Sequence, residues 1–451
     1  MMRGQEEEQE QRLAFPSLST NQRQEYIDRL ERILYTNIRP WWLGNSVVDL
    51  ENGGFNLNHD INGNYLGPAP KMIVTQARIT WFFFPPSPLR SRREGGRKGE
   101  REGRRTKPMW DRANGGFVWR VAADGKTVVE GTFKDLYGQA FGLYALSYYY
   151  MATGDREALA MASQLFDLLY TRSLDPAHFQ GAIQRRSPKT INTHLHLLES
   201  LVAFHRALKE GGREEGMKGG SFEEEEKKGR GEDGREGRVE TVIRELIALV
   251  TGKMLIDPPG TVVEFYASDW TPDDTPNLLL FGHVNELLWL VVDACESLDI
   301  RLSSLPPSFL SSLWIYSTTY GFDQTQGAFQ NQRVLETEKP LLQPLLQPSL
   351  PFAQDDDKVW WVQAESLIAA AKYSRIDRGE GGGEGGIEAG EAFGALLKYL
   401  NGTMIDWERG EWFAEVKEGR KEGGKANEWK GPYHNGRAMI LCLEELRGRK
   451  T

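Results

Sequence analysis

The sequence predicts an all-α fold, an (α/α)6 barrel of six inner and about five to six outer helices, and three observations carry that reading. A glycine followed by an apolar or aromatic residue recurs at intervals of roughly 60 to 80 residues, the length of a helix pair with its loops: Gly53-Gly54-Phe55, Gly115-Gly116-Phe117, Gly181-Ala182-Ile183, Gly260-Thr261-Val262, Gly327-Ala328-Phe329 and Gly410-Glu411-Trp412. The third and fourth copies are degenerate. After each copy comes a helical pattern that is apolar around most of its circumference, which marks helices buried on both sides. A more amphipathic helix precedes most copies, as an outer layer requires.

The inner helices are predicted over 71–83, 134–151, 192–208, 283–298, 358–374 and 433–446, and Leu287-Leu288-Trp289-Leu290-Val291-Val292 shows how apolar they are. The outer helices are predicted over 22–36, 156–170, 239–254, 307–319 and 392–404. A second outer helix should precede Gly115. There the chain reads Pro85-Pro86-Ser87-Pro88 and then a Gly/Arg/Glu run over 90–107, too poor in apolar residues to offset its ordering entropy. Further low-complexity stretches near 209–238, 340–352, 378–390 and 417–425 read as peripheral loop insertions, since loop closure costs grow slowly with length. Residues 1–19 read as a disordered tail ahead of a single domain over 20–448.

With 64 acidic and 55 basic residues, the chain has no basic stripe for nucleic acid. No apolar run approaches the roughly 20 residues of a membrane helix. The Glu/Gln-rich start lacks the order of a secretory signal, and Cys295 and Cys442 lie inside helical patterns. A cytoplasmic protein, monomer or homodimer, acting on a small molecule is the expectation. No glycine-rich phosphate loop, nucleophile elbow or dinucleotide fingerprint is present, so phosphoryl transfer and nicotinamide chemistry have no support.

The polar chemistry gathers at the starts of the inner helices. Asn192, His196 and Glu199 share one face, with His194 on another, and His205 deeper in the helix fits a core hydrogen bond. His283 and Glu286 are three apart, a spacing that lets the carboxylate orient the imidazole and fix its tautomer. His434 follows Gly431-Pro432-Tyr433 and precedes Arg437, at a helix start whose positive end favours the neutral ring. Trp361 and Trp429 offer faces on which a pyranose can stack, with core packing the competing use. Glu365 shares a face with Trp361 and could bind hydroxyls or orient a base. Arg78 is a guanidinium in an apolar run, costly to bury without an oxygen-rich partner. His59 and His178 read as surface loop residues. A zinc site at His283 lacks a second histidine at metal-binding spacing, so no metal and no cofactor are expected.

In this order the motifs resemble the N-acylglucosamine 2-epimerase superfamily, and most nearly its cellobiose-epimerising branch. The resemblance runs over about 22–445. It rests on the stretch 71–78, Asp135-Leu136-Tyr137-Gly138-Gln139-Ala140-Phe141, Asn192-Thr193-His194-Leu195-His196-Leu197-Leu198-Glu199, Gly282-His283 with Glu286, Lys358-Val359-Trp360-Trp361 with Gln363 and Glu365, and Trp429-Lys430 with Tyr433-His434 and Arg437. It implies inversion of carbon 2 in the reducing-end glucose of a β-1,4-linked disaccharide, without metal or cofactor. His283 and His434 would be the two acid/base residues and His196 would assist ring opening. Arg78, Tyr137, Asn192, Glu286, Trp361, Glu365 and Trp429 would line the sugar site.

The competing expectations are an aldose-ketose isomerase or an acylglucosamine epimerase on the same barrel. From other classes come a glycoside hydrolase recruiting Glu199, Glu286 or Glu365 as paired carboxylates, and a non-catalytic sugar-binding protein.

Overall fold

The computed structural model describes residues 15, 18–44, 46–84, 109–172, 189–218, 225–256, 259–273, 277–335, 354–355, 357–376 and 386–448. Six inner helices, Ile73–Phe83, Leu136–Thr153, Ile191–Lys218, Phe281–Ser297, Trp360–Ile376 and Tyr433–Leu446, follow the predicted positions. Each packs against the next, and the sixth packs back on the first, so the ring closes. Residues 73–82 and 136–150 are buried without interruption, as helices with neighbours on both sides must be.

Five outer helices are present among the described residues: Thr20–Arg32, Arg156–Arg172, Glu225–Ala248, Phe309–Gly321 and Ala389–Tyr399. They bury one stripe only, as in Ala158, Leu159, Ala162, Leu165, Phe166 and Leu169. The first, third and fifth each run on into a π-helical turn, Ile33–Ile38, Leu249–Lys253 and Leu400–Met404. The low-complexity segments 85–108 and 340–352, residues 378–385 of the one expected over 378–390, and with them the missing outer helix, lie outside the described residues, while Ala389 and Gly390 already begin the fifth outer helix.

Two expected insertions are structured instead. Residues 209–218 extend the third inner helix and 225–238 begin the third outer one. Residues 417–425 form part of a hairpin, Glu415–Lys417 against Arg420–Glu422. That segment ends in Lys425, which is fully buried and 2.6 Å from Asp406.

The glycine turns are clamped onto the inner helices by one repeated device. Gln76 accepts the Phe55 N–H at 2.8 Å and donates to the Phe55 carbonyl at 3.0 Å. Gln139 does the same to Phe117, at 2.7 and 2.8 Å, and Gln363 to Phe329, at 2.8 and 2.6 Å. The side-chain amide thus substitutes for a strand partner and leaves neither backbone group unpaired. Gly54 and Gly116 have φ of 74° and 77°, and a Cβ there would stand 2.5 and 2.9 Å from the clamping glutamine oxygens, so glycine is required twice over. Just before several inner helices a two-residue strand pairs with the strand that follows the next turn, as Lys71–Met72 does with Arg120–Val121 and Lys189–Thr190 with Phe265–Tyr266. These links gather the helix N-termini at one rim of the barrel.

Candidate active site

Because that rim holds the first turns of all six inner helices, residues far apart in sequence meet there. Arg78 comes from the first helix, Tyr137 from the second, Asn192 and His196 from the third, His283 and Glu286 from the fourth, Trp361 and Glu365 from the fifth, and His434 from the sixth. Arg78 donates to the Tyr137 hydroxyl at 2.8 Å and to the Trp429 carbonyl at 3.3 Å. Its guanidinium carbon lies 4.5 Å from the Phe141 ring centroid and 5.1 Å from that of Tyr433. Neutral oxygens and aromatic faces therefore hold this buried cation, and no carboxylate forms an ion pair with it among the described residues. The Asn192 side chain acts on the Tyr137 hydroxyl, and its own Oδ1 is buried without a hydrogen-bond partner among the described residues. Trp429 is 44 % exposed, and its ring lies 6.4 Å from Trp119, which stacks on Phe133 at 5.4 Å.

The three histidines share one arrangement. His196 Nδ1 is 2.9 Å from Glu199, His283 Nδ1 is 2.6 Å from Glu264, and His434 Nδ1 is 2.6 Å from Glu365. A carboxylate on Nδ1 fixes that nitrogen as the donor and leaves Nε2 free to exchange a proton with a ligand. The indole of Trp361 lies 4.9 Å from the His283 ring and 5.7 Å from the His434 ring.

Their environments push the two apart. Burial works to lower His283, but the charge and hydrogen bond of Glu264, with Glu286 and Glu365 behind, raise it above 6.5 overall. His434 falls well below 6.5 through burial first, then the guanidinium groups of Arg78 and Arg437. Burial also takes His196 down to about 4 against the pull of Glu199.

Arg437 is the hub of the site. It is 1 % exposed, pairs with Glu199, and donates through Nη2 to Glu286 at 2.7 Å and to Glu365 at 2.8 Å. The Tyr433 hydroxyl donates to Glu199 at 2.6 Å. Burial raises Glu199, yet Arg437 and the His196 contact outweigh it and bring the acid to about 2. Burial raises both Glu286 and Glu365, with Arg437 opposing in each case. Ligand atoms of Glu286, Glu365 and His434 lie within 4.8 Å of one another, as a metal site would need. The guanidinium bound to both carboxylates already supplies the positive charge a metal would bring.

Two expectations need correction. The residue orienting His283 is Glu264, on the loop after Gly260, while Glu286 turns to Arg437. His59 is 2 % exposed rather than a surface residue, edge-on to Trp41 at 5.3 Å. His178 lies outside the described residues. His194 faces away from the site, bonded to the Thr190 carbonyl at 2.7 Å, and His205 meets Glu240 at 3.1 Å on the outer side. Trp412 is wholly core. Glu264 was legible in principle, as the one acid in the apolar run Val262-Val263-Glu264-Phe265.

The sequence pattern of the N-acylglucosamine 2-epimerase (GlcNAc 2-epimerase) family matches residues 53–212 and 235–438. The chain belongs to that family. It is similar to the cellobiose 2-epimerase of Bacteroides fragilis, 26 % identical over 92 % of this chain and 98 % of the relative. To that of Eubacterium cellulosolvens it is 27 % identical over 92 % and 96 %. The solved cellobiose 2-epimerase of Spirochaeta thermophila superposes with a TM-score of 0.72 at 26 % identity, covering 95 % of this chain and 98 % of that one. A D-mannose isomerase shares the fold at 18 % identity, with a TM-score of 0.63 over 94 % and 98 % of the two chains. As a member of the N-acylglucosamine 2-epimerase family the chain is a carbohydrate epimerase, an isomerase acting on a small sugar. None of its helices is long and apolar enough to cross a membrane, among the described residues.

Proposed function

We propose that the protein inverts carbon 2 of the reducing-end glucose of a β-1,4-linked disaccharide such as cellobiose, giving the glucosyl-mannose. One observation carries the reading: two imidazoles from the fourth and sixth inner helices flank a single indole, each with Nδ1 held by a carboxylate. Trp361 can stack on the reacting sugar, and the exposed aromatic group of Trp429, Trp119 and Phe133 suits a second sugar ring. Relatives named cellobiose 2-epimerase that match along more than nine-tenths of the chain support the choice of disaccharide.

The chemistry follows from carbon 2 lying next to a masked aldehyde. Ring opening transfers the anomeric hydroxyl proton away and delivers one to the ring oxygen, a relay that His196, with Nε2 free and beside Tyr137, can assist. Neutral His434 then takes the proton from carbon 2, and the C–H electron pair forms the enediolate as charge moves to the carbonyl oxygen. Arg78, fixed by Tyr137 and Trp429, is placed to stabilise that oxyanion with Asn192. Protonated His283 returns a proton to the opposite face of carbon 2 while the carbonyl re-forms, and the ring closes. His434 is left protonated and His283 neutral, and exchange with solvent restores the starting state.

The test is proton NMR of the protein with cellobiose in deuterated water. A mannose-type reducing end carrying deuterium at carbon 2 is expected. His283→Asn and His434→Asn should each lower exchange by about 100-fold or more with the fold retained. Near-normal exchange in either variant removes the two-histidine assignment, a ketose product assigns an aldose-ketose isomerase, and released glucose a hydrolase.

A further inference from the structure

The three histidine-bound carboxylates of the rim are not equivalent. Glu199 and Glu365 each share their charge with Arg437. Glu264 serves His283 alone and forms no ion pair with a lysine or arginine among the described residues. It is also the only one of the three that does not lie on an inner helix. Its backbone is held on both sides, the N–H donating to the Leu278 carbonyl at 2.9 Å and the carbonyl accepting from Ile191 at 3.2 Å. The loop leading to it is pinned as well. The Tyr266 hydroxyl bridges the Met254 carbonyl at 2.6 Å and the Val263 N–H at 3.2 Å, and Gly260, with φ of 88°, leaves no room for a Cβ, which would stand 2.1 Å from the Ser312 carbonyl oxygen.

We propose that Glu264 is a positioning residue that loads His283 with the proton delivered to carbon 2, and so sets the order in which the two histidines act. This rests on the two-histidine reading of the site. Glu264 fixes His283 Nδ1–H, so Nε2 is the nitrogen that meets the sugar, and its unshared negative charge stabilises the imidazolium. His434 has a carboxylate at the same distance, but Arg437 shares Glu365 and Arg78 also acts on the ring, so it rests neutral. The next largest charge effects on His283 come from Glu286, on its own helix, and Glu365, on the neighbouring fifth helix. Both are bound to Arg437, which leaves Glu264 as the group that distinguishes the two histidines.

The experiment titrates His283 by imidazole NMR in the full-length protein and in Glu264→Gln. The glutamine oxygen can keep the Nδ1 hydrogen bond while the charge is lost. The His283 midpoint is expected to fall by about one to two pH units. The alkaline limb of carbon-2 exchange should move down with it. Glu264→Asp, which restores the charge from a shorter side chain, should return part of the shift. A reduced rate with an unmoved midpoint and unmoved limb in both variants overturns the proposal and leaves Glu264 a purely structural role. The titration needs no turnover, so absence of cellobiose epimerisation in the unaltered protein would strike the proposed function separately.

Discussion

Replacing Arg437 by methionine fills much the same space and leaves Glu199, Glu286 and Glu365 in the middle of the barrel without their shared cation. Removing one partner of a buried ion pair costs about 3–5 kcal/mol, a large share of the ~5–15 kcal/mol that holds a domain together. Three such losses do not add, because the carboxylates can take up protons instead. That relief depends on pH, and its sign can be worked out. In the unaltered protein Glu199 sits at about 2 against an ordinary 4.5. It therefore adds stability above 4.5, lost as pH falls through about 2. In the variant the folded state holds its carboxylate protons more tightly than the unfolded state, so stability falls as pH rises above 4.5 toward the raised values. Each pH unit in that window is worth about 1.4 kcal/mol per carboxylate. Urea unfolding followed by tryptophan fluorescence should thus show a deficit of about 3–5 kcal/mol at pH 7.5, smaller by about 1–3 kcal/mol at pH 5.5. A deficit below about 1 kcal/mol, or one equal at both pH values, would refute the view of Arg437 as the counter-ion of the site.

Two further expectations can be checked on the same protein. The pH profile of carbon-2 exchange should have an acid limb below 6.5, where His434 takes up a proton, and an alkaline limb above 6.5, where His283 loses one; one ionisation centred on 6.5 contradicts this. A Cβ on Gly282 would stand 2.2 Å from the Trp361 ring, so Gly282→Ala must move the indole off both histidines. Its kcat/KM should fall about 100-fold while stability changes by about 1–3 kcal/mol, and unchanged kinetics would show that Trp361 does not place the sugar.

The fold was readable in the sequence because its signals are local. Helices buried all round, such as 136–150, need apolar residues over most of their circumference, and a turn with φ near 74° whose Cβ position is taken by a glutamine needs glycine whatever surrounds it. The same locality misled where composition imitates disorder. The polar, glycine-rich stretch 225–238 is helical, and Lys425, in what reads as an insertion, is a buried anchor of the last turn. Histidines at the starts of apolar helices marked the site, since a titratable group in such a run is costly without a purpose. Spacing along one helix marked Glu199 as the partner of His196, but the partners of the other two were not marked. His283 takes Glu264 rather than Glu286, and His434 takes Glu365 from another helix, because a side chain reaches whatever the closed ring brings to it. The sequence by itself determined which inner-helix histidines would stand at the rim of the barrel. Only ring closure decided which carboxylates face His283 and His434 and where Arg437 lies. Those contacts join different helices and loops, and charge balance in a buried site depends on distances in space that spacing along a chain does not encode.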